Sequence, residues 1–245
     1  MKPAIFFLFC FWCHCVFSQN LQLHYDLRHT IDPQRNEKNF PTLYFEYFKD
    51  QDSGKSFIKP GSFLLKMEAN FSGEKNNLGK FYMQVSQSFR CWKPKVFLHL
   101  QYSGGLGVTE PKQYSYYITN TFSAGLVYPF KWGGAYLSSV LDYKYTLYNK
   151  PSNDVLYTLY WWKGWWHYKA EFAGDFSVWT DNKNHGDDLT KDLHGKSFSF
   201  FAEPQFWYKV NKVLAFGTKV NMYYHVLTTE NIFQAYPTIA IKCKL

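Results

Sequence analysis

Residues 78–105 read LGKFYMQVSQSFRCWKPKVFLHLQYSGG, two alternating runs joined by a short basic turn. In the first run Phe81, Met83, Val85 and Phe89 share one parity, interrupted only by Gln87. Tyr82, Gln84, Ser86, Ser88 and Arg90 share the other. In the second, Val96, Leu98, Leu100 and Tyr102 alternate with Phe97, His99, Gln101 and Ser103. Successive side chains of a strand point to opposite faces, so this alternation means one apolar face and one wet face. Pro94, inside the turn 92–95, has no N–H to give to a ladder. The stretch is therefore an antiparallel hairpin, and arms of about ten residues suit strands that cross a bilayer at a tilt.

The rest of the chain repeats the design. Runs of the same kind are expected over 19–29, 40–49, 62–71, 114–128, 135–148, 155–162, 165–180, 196–208, 213–226 and 235–245. With the hairpin they make twelve strands, an even number, as a bacterial membrane barrel requires. With both termini on the inner side, four of the five inner connections are short: 92–95, 129–133, the pair Lys163 and Gly164, and 210–212. The outer connections are longer, 181–195 most of all, and 50–61 is the long exception inside. Trp92, Trp132, Trp162 and Trp165 gather at the inner turns, as an interfacial girdle does.

Composition agrees with an all-β, single antiparallel transmembrane barrel. Aromatic residues are 22% of the 245 and charged residues only 19%, below the roughly 25% of soluble chains. Such a barrel needs an apolar outer band, a polar interior and aromatics at both interfaces. A net charge of +8 is compatible with nucleic-acid binding. Here the lysines are scattered through turns and one strand face, which reads as solvated charge, and no nucleic-acid partner is expected. The longest charge-free stretch, 113–130, is interleaved with Ser, Thr, Asn and Gly and is not a spanning helix.

Residues 1–18 read as a cleavable secretory signal, with a lysine at position 2, an apolar run and Ser18 at the cut, leaving a barrel over 19–245. Cys10, Cys13 and Cys15 leave with it; Cys91 and Cys243 remain on distant strands and do not suggest a disulfide framework.

Four stretches carry a resemblance: QNLQLHYDLRH at 19–29, YFEYFK at 44–49, QYSGGLG at 101–107 and YPTIAIKCKL at 236–245. Together they resemble an uncharacterised branch of outer-membrane barrels related to the nucleoside-specific channel. The likeness covers most of the mature chain and implies a twelve-stranded barrel with a narrow pore. The channel's nucleoside-contacting residues do not map onto this sequence one by one, so none is carried over. One departure is the end of the chain: Leu245 is aliphatic where such barrels end in an aromatic residue read by the barrel-assembly machinery.

No phosphate loop, paired-cysteine zinc site or nucleophile elbow is present, and no cofactor is expected. Residues 181–192 have the outline of a calcium loop with Gly186 at its sixth place, but Lys183 and His185 stand where oxygen ligands belong. His185, Asp187, Asp188, Asp192 and His194 are read as a solvated loop ahead of a metal site.

The polar parity is more informative. His24, Asp26, Arg28, Glu46, Lys66, Glu68, Arg90, His99, Gln101, Asp142, Lys144, Glu171, Asp175, Glu203, Lys219, Asn221 and His225 are expected to point inward, beside aromatic walls from Tyr44, Tyr82, Phe97, Tyr136 and Tyr223. Both signs of charge are present, so the lining supports two readings equally. One is a barrel plugged by internal ion pairs. The other is a channel whose aromatic faces and amides contact a small polar solute. The resemblance turns the choice towards a passive channel, with nucleosides first among solutes. A lipase or acyltransferase needs a nucleophile and base on the lipid-facing rim, and the outward sets contain no such pair. The expected partners are outer-membrane lipid, the assembly machinery and the solute.

Overall fold

The structure is a computed structural model and describes residues 18–50, 57–109 and 114–245. The expected signal therefore lies outside the described residues save for Ser18, the first residue of β1. The strands are β1 (Ser18–Asp26), β2 (Phe40–Lys49), β3 (Lys59–Asn70), β4 (Lys80–Arg90), β5 (Phe97–Val108), β6 (Ser115–Trp132), β7 (Ala135–Thr146), β8 (Ser152–Trp165), β9 (Ala170–Asn182), β10 (Lys196–Ala202), β11 (Gln205–Lys209), β12 (Leu214–Tyr224) and β13 (Phe233–Lys244). A single helical turn, α1 (Arg28–Ile31), follows β1 where sequence patterning extends the strand to residue 29.

Successive strands pair antiparallel except β10 with β11, and β1 pairs with β13, Leu23 opposite Ile241, so the sheet closes on itself. Closure leaves no strand at the edge of the sheet, which a chain surrounded by lipid requires. β10 and β11 are two halves of one wall position, because both pair with β9 and β12 and the register to each is unchanged across the break. The thirteen strands thus occupy twelve positions. The break falls at Glu203 and Pro204. Pro204 accepts from the Val220 N–H at 3.0 Å and has no N–H to return.

Parity holds around the ring. Leu100, Phe122, Leu126, Leu141, Tyr143, Val155, Phe216 and Ile239 are exposed on the outside, while Gln22, His24, Asp26, Lys66, Gln84, His99, Asp142 and Lys219 are buried inside. An apolar outside around a polar inside inverts a soluble protein and fits a barrel bathed in lipid. Two apolar clusters, Phe97 with Val127 and Val140, and Trp207 with Ala215 and Ala240, fill part of the interior.

Two turns differ from the sequence expectation. β6 runs through Pro129 to Trp132, and the hairpin turns on Gly133 and Gly134 with φ of 56° and 77°. Two residues with positive φ match the twist of the flanking strands, and glycine adopts them freely. Lys163 and Gly164 are not a turn but the end of β8; the chain turns through residues 166–169. There Trp166, His167 and Tyr168 all take positive φ, so the local glycine signal misplaces the turn by three residues.

Candidate functional site

The lumen is lined by the inward parity of all twelve wall positions, and its waist is an ion-pair bridge. Lys66 on β3 donates to Asp175 Oδ1 on β9 and to Glu203 Oε1 at the β10–β11 break, each at 2.6 Å. β3 and β9 stand six positions apart on a ring of twelve, so this contact spans the full diameter. Lys219 on β12 donates to Glu203 Oε2 at 3.2 Å and lies 3.6 Å from Glu68 Oε2. Its ammonium also sits 4.7 Å above the Tyr44 ring.

Local structure puts these groups there. Lys66 alternates with Leu65 and Met67, which face lipid, so only its own side chain can turn to the axis. Glu203 projects from the interruption made by Pro204, where its N–H donates to Asp175 O at 2.9 Å and holds backbone and side chain of the two acids together. Two ammonium groups face three carboxylates, so opposite charges offset the desolvation that each alone would suffer.

Smaller networks extend from the waist. Gln84 donates to Gln101 Oε1 at 2.9 Å and to Tyr160 Oη at 3.0 Å. His99 Nδ1 lies 2.9 Å from Asp142 Oδ2. His24 bridges Gln22 at 2.8 Å and Thr238 at 2.9 Å. Glu171 pairs with Lys242 at 3.2 Å and with Lys209. Lys144 donates to Asp181 Oδ2 at 3.1 Å. Glu46 accepts from Asn20 and Tyr44. Arg28 forks onto Asp26 at 3.1 and 2.9 Å while stacking over Phe40 and Tyr236. Arg90 donates to the carbonyls of Lys93 and Pro94 and lies over Phe97. Asn221 is buried on the inner face of β12.

The expected set is thus drawn together inside the barrel, with one correction. β12 ends at Tyr224, and His225, with φ of 54°, turns out of the strand and bonds Phe198 O and Asn231 in the loop. The break in parity at a positive φ removes it from the lumen. The aromatic walls also differ from expectation. Tyr44 is 2% exposed and Phe97 4%, so both pack against neighbours rather than line an open path. Tyr136 lies at the mouth, against Trp162. The waist is filled: Lys66 bridges the diameter, and Gln84 and Lys219 beside it are buried. Sequence reading began β8 one residue after Asp154 and placed Asp181 in the loop after β9, whereas β8 and β9 extend to include them, and it left Lys242 out of the inward set although alternation marks it. It also passed over Trp207, which stands between Phe206 and Tyr208 where no contrast of polarity reveals the inward side chain.

The loop over 183–194 forms local structure. His185 stacks on Tyr148 with centroids 3.9 Å apart. Asp187 accepts from the Thr190 hydroxyl and from the N–H groups of Thr190 and Leu189, which holds its carboxyl below the usual range. Among the described residues no three His, Cys, Asp or Glu side chains come together as metal ligands.

A closed antiparallel ring of twelve positions, apolar outside and polar within, defines a transmembrane β-barrel. The chain belongs to the family described as domain of unknown function DUF5020, whose profile matches residues 18–245. No curated protein matches it by sequence. Among solved structures it is similar in fold to one described as the NanC porin, with a TM-score of 0.55 at 9% identity over 93% of this chain and 100% of that one. Lower similarities include the KdgM porin, with a TM-score of 0.47 at 7% identity over 92% and 99%. They also include LpxR from Salmonella typhimurium, with 0.40 at 9% identity over 92% and 100%.

Proposed function

We propose that the protein is a channel of the bacterial outer membrane, exported by its cleavable signal, through which small polar solutes diffuse passively. It is not an enzyme on this reading. The observation that carries the proposal is the nature of the closing groups. Lys66, Asp175, Glu203 and Lys219 are polar side chains rooted in the wall, so rotation about side-chain bonds retracts them without breaking the sheet. A barrel built only as a scaffold is filled as well, or better, by apolar layers that avoid desolvating charge. Twelve strands also enclose more room than the eight of a side-chain-filled barrel and less than a general porin.

Within that class, nucleosides are the first solutes to test. The support is the resemblance of residues 19–29, 44–49, 101–107 and 236–245 to a nucleoside-channel branch. Beside the waist, the amides of Gln84 and Gln101 stand next to the rings of Tyr82 and Tyr160. These suit a neutral, hydrogen-bonding, flat-ringed solute, and flux requires binding weak enough to release it.

The test is single-channel conductance together with uptake of labelled nucleosides into proteoliposomes, with sugars and amino acids of similar size as controls. The expected result is a small conductance and uptake saturating at millimolar concentration. Lys66→Ala and Glu203→Ala should raise conductance several-fold and reduce discrimination. The diametric bridge at 2.6 Å also favours a second reading, a sealed scaffold. That reading wins if neither the native barrel nor the variants pass ions. Lipid hydrolysis in the same vesicles would replace both readings by an enzyme.

A further inference from the structure

At the short-turn end the wall is uneven. The last β5–β6 pair is Phe97 with Val127, yet β6 continues to Trp132, paired with β7 alone. This extension, with the start of β7, the end of β8 and the tip that follows it, forms an open cavity of about 480 Å³ at the short-turn end, lined by Lys131, Tyr136, Trp162, Gly164 and Tyr168 among others. An interfacial girdle accounts for aromatic side chains on the lipid-facing parity, such as Trp132. It does not account for Tyr136 and Trp162, which share the parity of the lumen residues Val140, Asp142 and Thr158.

The cavity is built with care for its rings. Trp162 lies 5.8 Å from Tyr136 and is stacked on Tyr168 at 5.7 Å. Tyr168 reaches that place through a tip in which three successive non-glycine residues hold positive φ, a conformation that costs about 1–2 kcal/mol for each. It then lies across Gly164, where a Cβ would come within 2.5 Å of its ring. Strain kept at a surface tip points to a use for what it positions. The ammonium of Lys131 sits 4.4 Å from the Tyr136 ring centre, and among the described residues no carboxylate or amide side chain lines the cavity. A cation and ring faces with no anionic side chain against them suit a ring that carries an anionic group.

We infer that this cavity is a subsite for a small ring-bearing anion, such as an aromatic carboxylate or a nucleoside monophosphate, with the ring on Trp162 and the anion on Lys131. It rests on the channel reading only for what delivers the ligand, and binding is measured without flux.

The experiment uses the complete mature barrel, folded in non-ionic detergent and checked for heat-modifiable mobility. Tryptophan quenching and calorimetry are followed with uridine monophosphate, 4-hydroxybenzoate, uridine, inorganic phosphate and a phosphatidylglycerol micelle. Uridine monophosphate or 4-hydroxybenzoate should bind at millimolar concentration, each at least fivefold more tightly than uridine or phosphate; which of the two binds names the source of the anion. Trp162→Ala should weaken binding about tenfold, the scale of one stacked ring. Lys131→Ala should abolish the preference for monophosphate over uridine. Gly164→Ala, which displaces Tyr168 without deleting a ring, should weaken binding in a folded barrel, and Trp132→Ala should change nothing. Equal binding of uridine and its monophosphate overturns the inference. So does equal damage from Trp132→Ala and Trp162→Ala, a response to the lipid micelle alone, or no binding by a folded barrel. Binding without conductance would leave this subsite standing and remove the channel.

Discussion

Lys66 leaves β3 towards the axis and ends between two carboxylates on the far side of the barrel, 2.6 Å from each. Deleting it strands Asp175 and Glu203 in a buried place with one remaining ammonium, that of Lys219. Lys66→Ala is therefore expected to destabilise the barrel by about 3–5 kcal/mol, the cost of breaking a buried pair from one side. Urea unfolding in lipid vesicles measures it. The double variant Lys66→Met with Asp175→Leu should recover part of the loss, because it removes one charge of each sign. On the other parity, Leu100 is 50% exposed to the lipid side while its neighbour Gln101 bonds Gln84 inside. Leu100→Arg should cost about 2–4 kcal/mol near the bilayer midplane, and Gln101→Arg clearly less. Equal losses would mean that the strand sits in the other register, since a slip of one residue exchanges the faces.

Among the strands, the pair β10 and β11 shows how one residue shapes a wall. Both halves keep a single register on β9 and on β12, so the interruption is local to Glu203 and Pro204. Pro204→Ala supplies the missing N–H facing Val220. Hydrogen exchange should then find a protected amide at position 204, with overall stability little changed, since the added bond of about 1 kcal/mol is offset by a freer unfolded chain. An amide there that exchanges as fast as a loop would show that the break has another cause. The two misplaced turns have different reasons. Glycines at 133 and 134 lie just beyond Pro129, and a proline usually marks a boundary, but near the end of β6 it is tolerated. At residues 166–169 the turn uses no glycine at all, and ring stacking on Trp162 sets it instead.

For the whole molecule, ring closure between β1 and β13 makes the barrel one cooperative unit without an edge strand. The folded protein should resist SDS at room temperature and run faster than the boiled chain, and it should fractionate with outer membranes with Gln19 as its first residue by mass spectrometry. A mature protein found soluble in the periplasm would end the barrel reading. Much of this architecture was legible without coordinates. Alternation of apolar and polar residues is a local property, and with period two it assigns almost every inward side chain, from His24 to Lys219, from its neighbours alone. Turn lengths likewise order the two ends. What the sequence could not decide is which inward side chains meet. Lys66 and Asp175 are 109 residues apart and belong to opposite sides of the ring. Whether the interior is open or filled depends on strand tilt and stagger, which set the distance between facing walls and are properties of the closed ring. Only the tertiary structure, by bringing those walls within reach of one lysine, turned a polar lining into a closed waist.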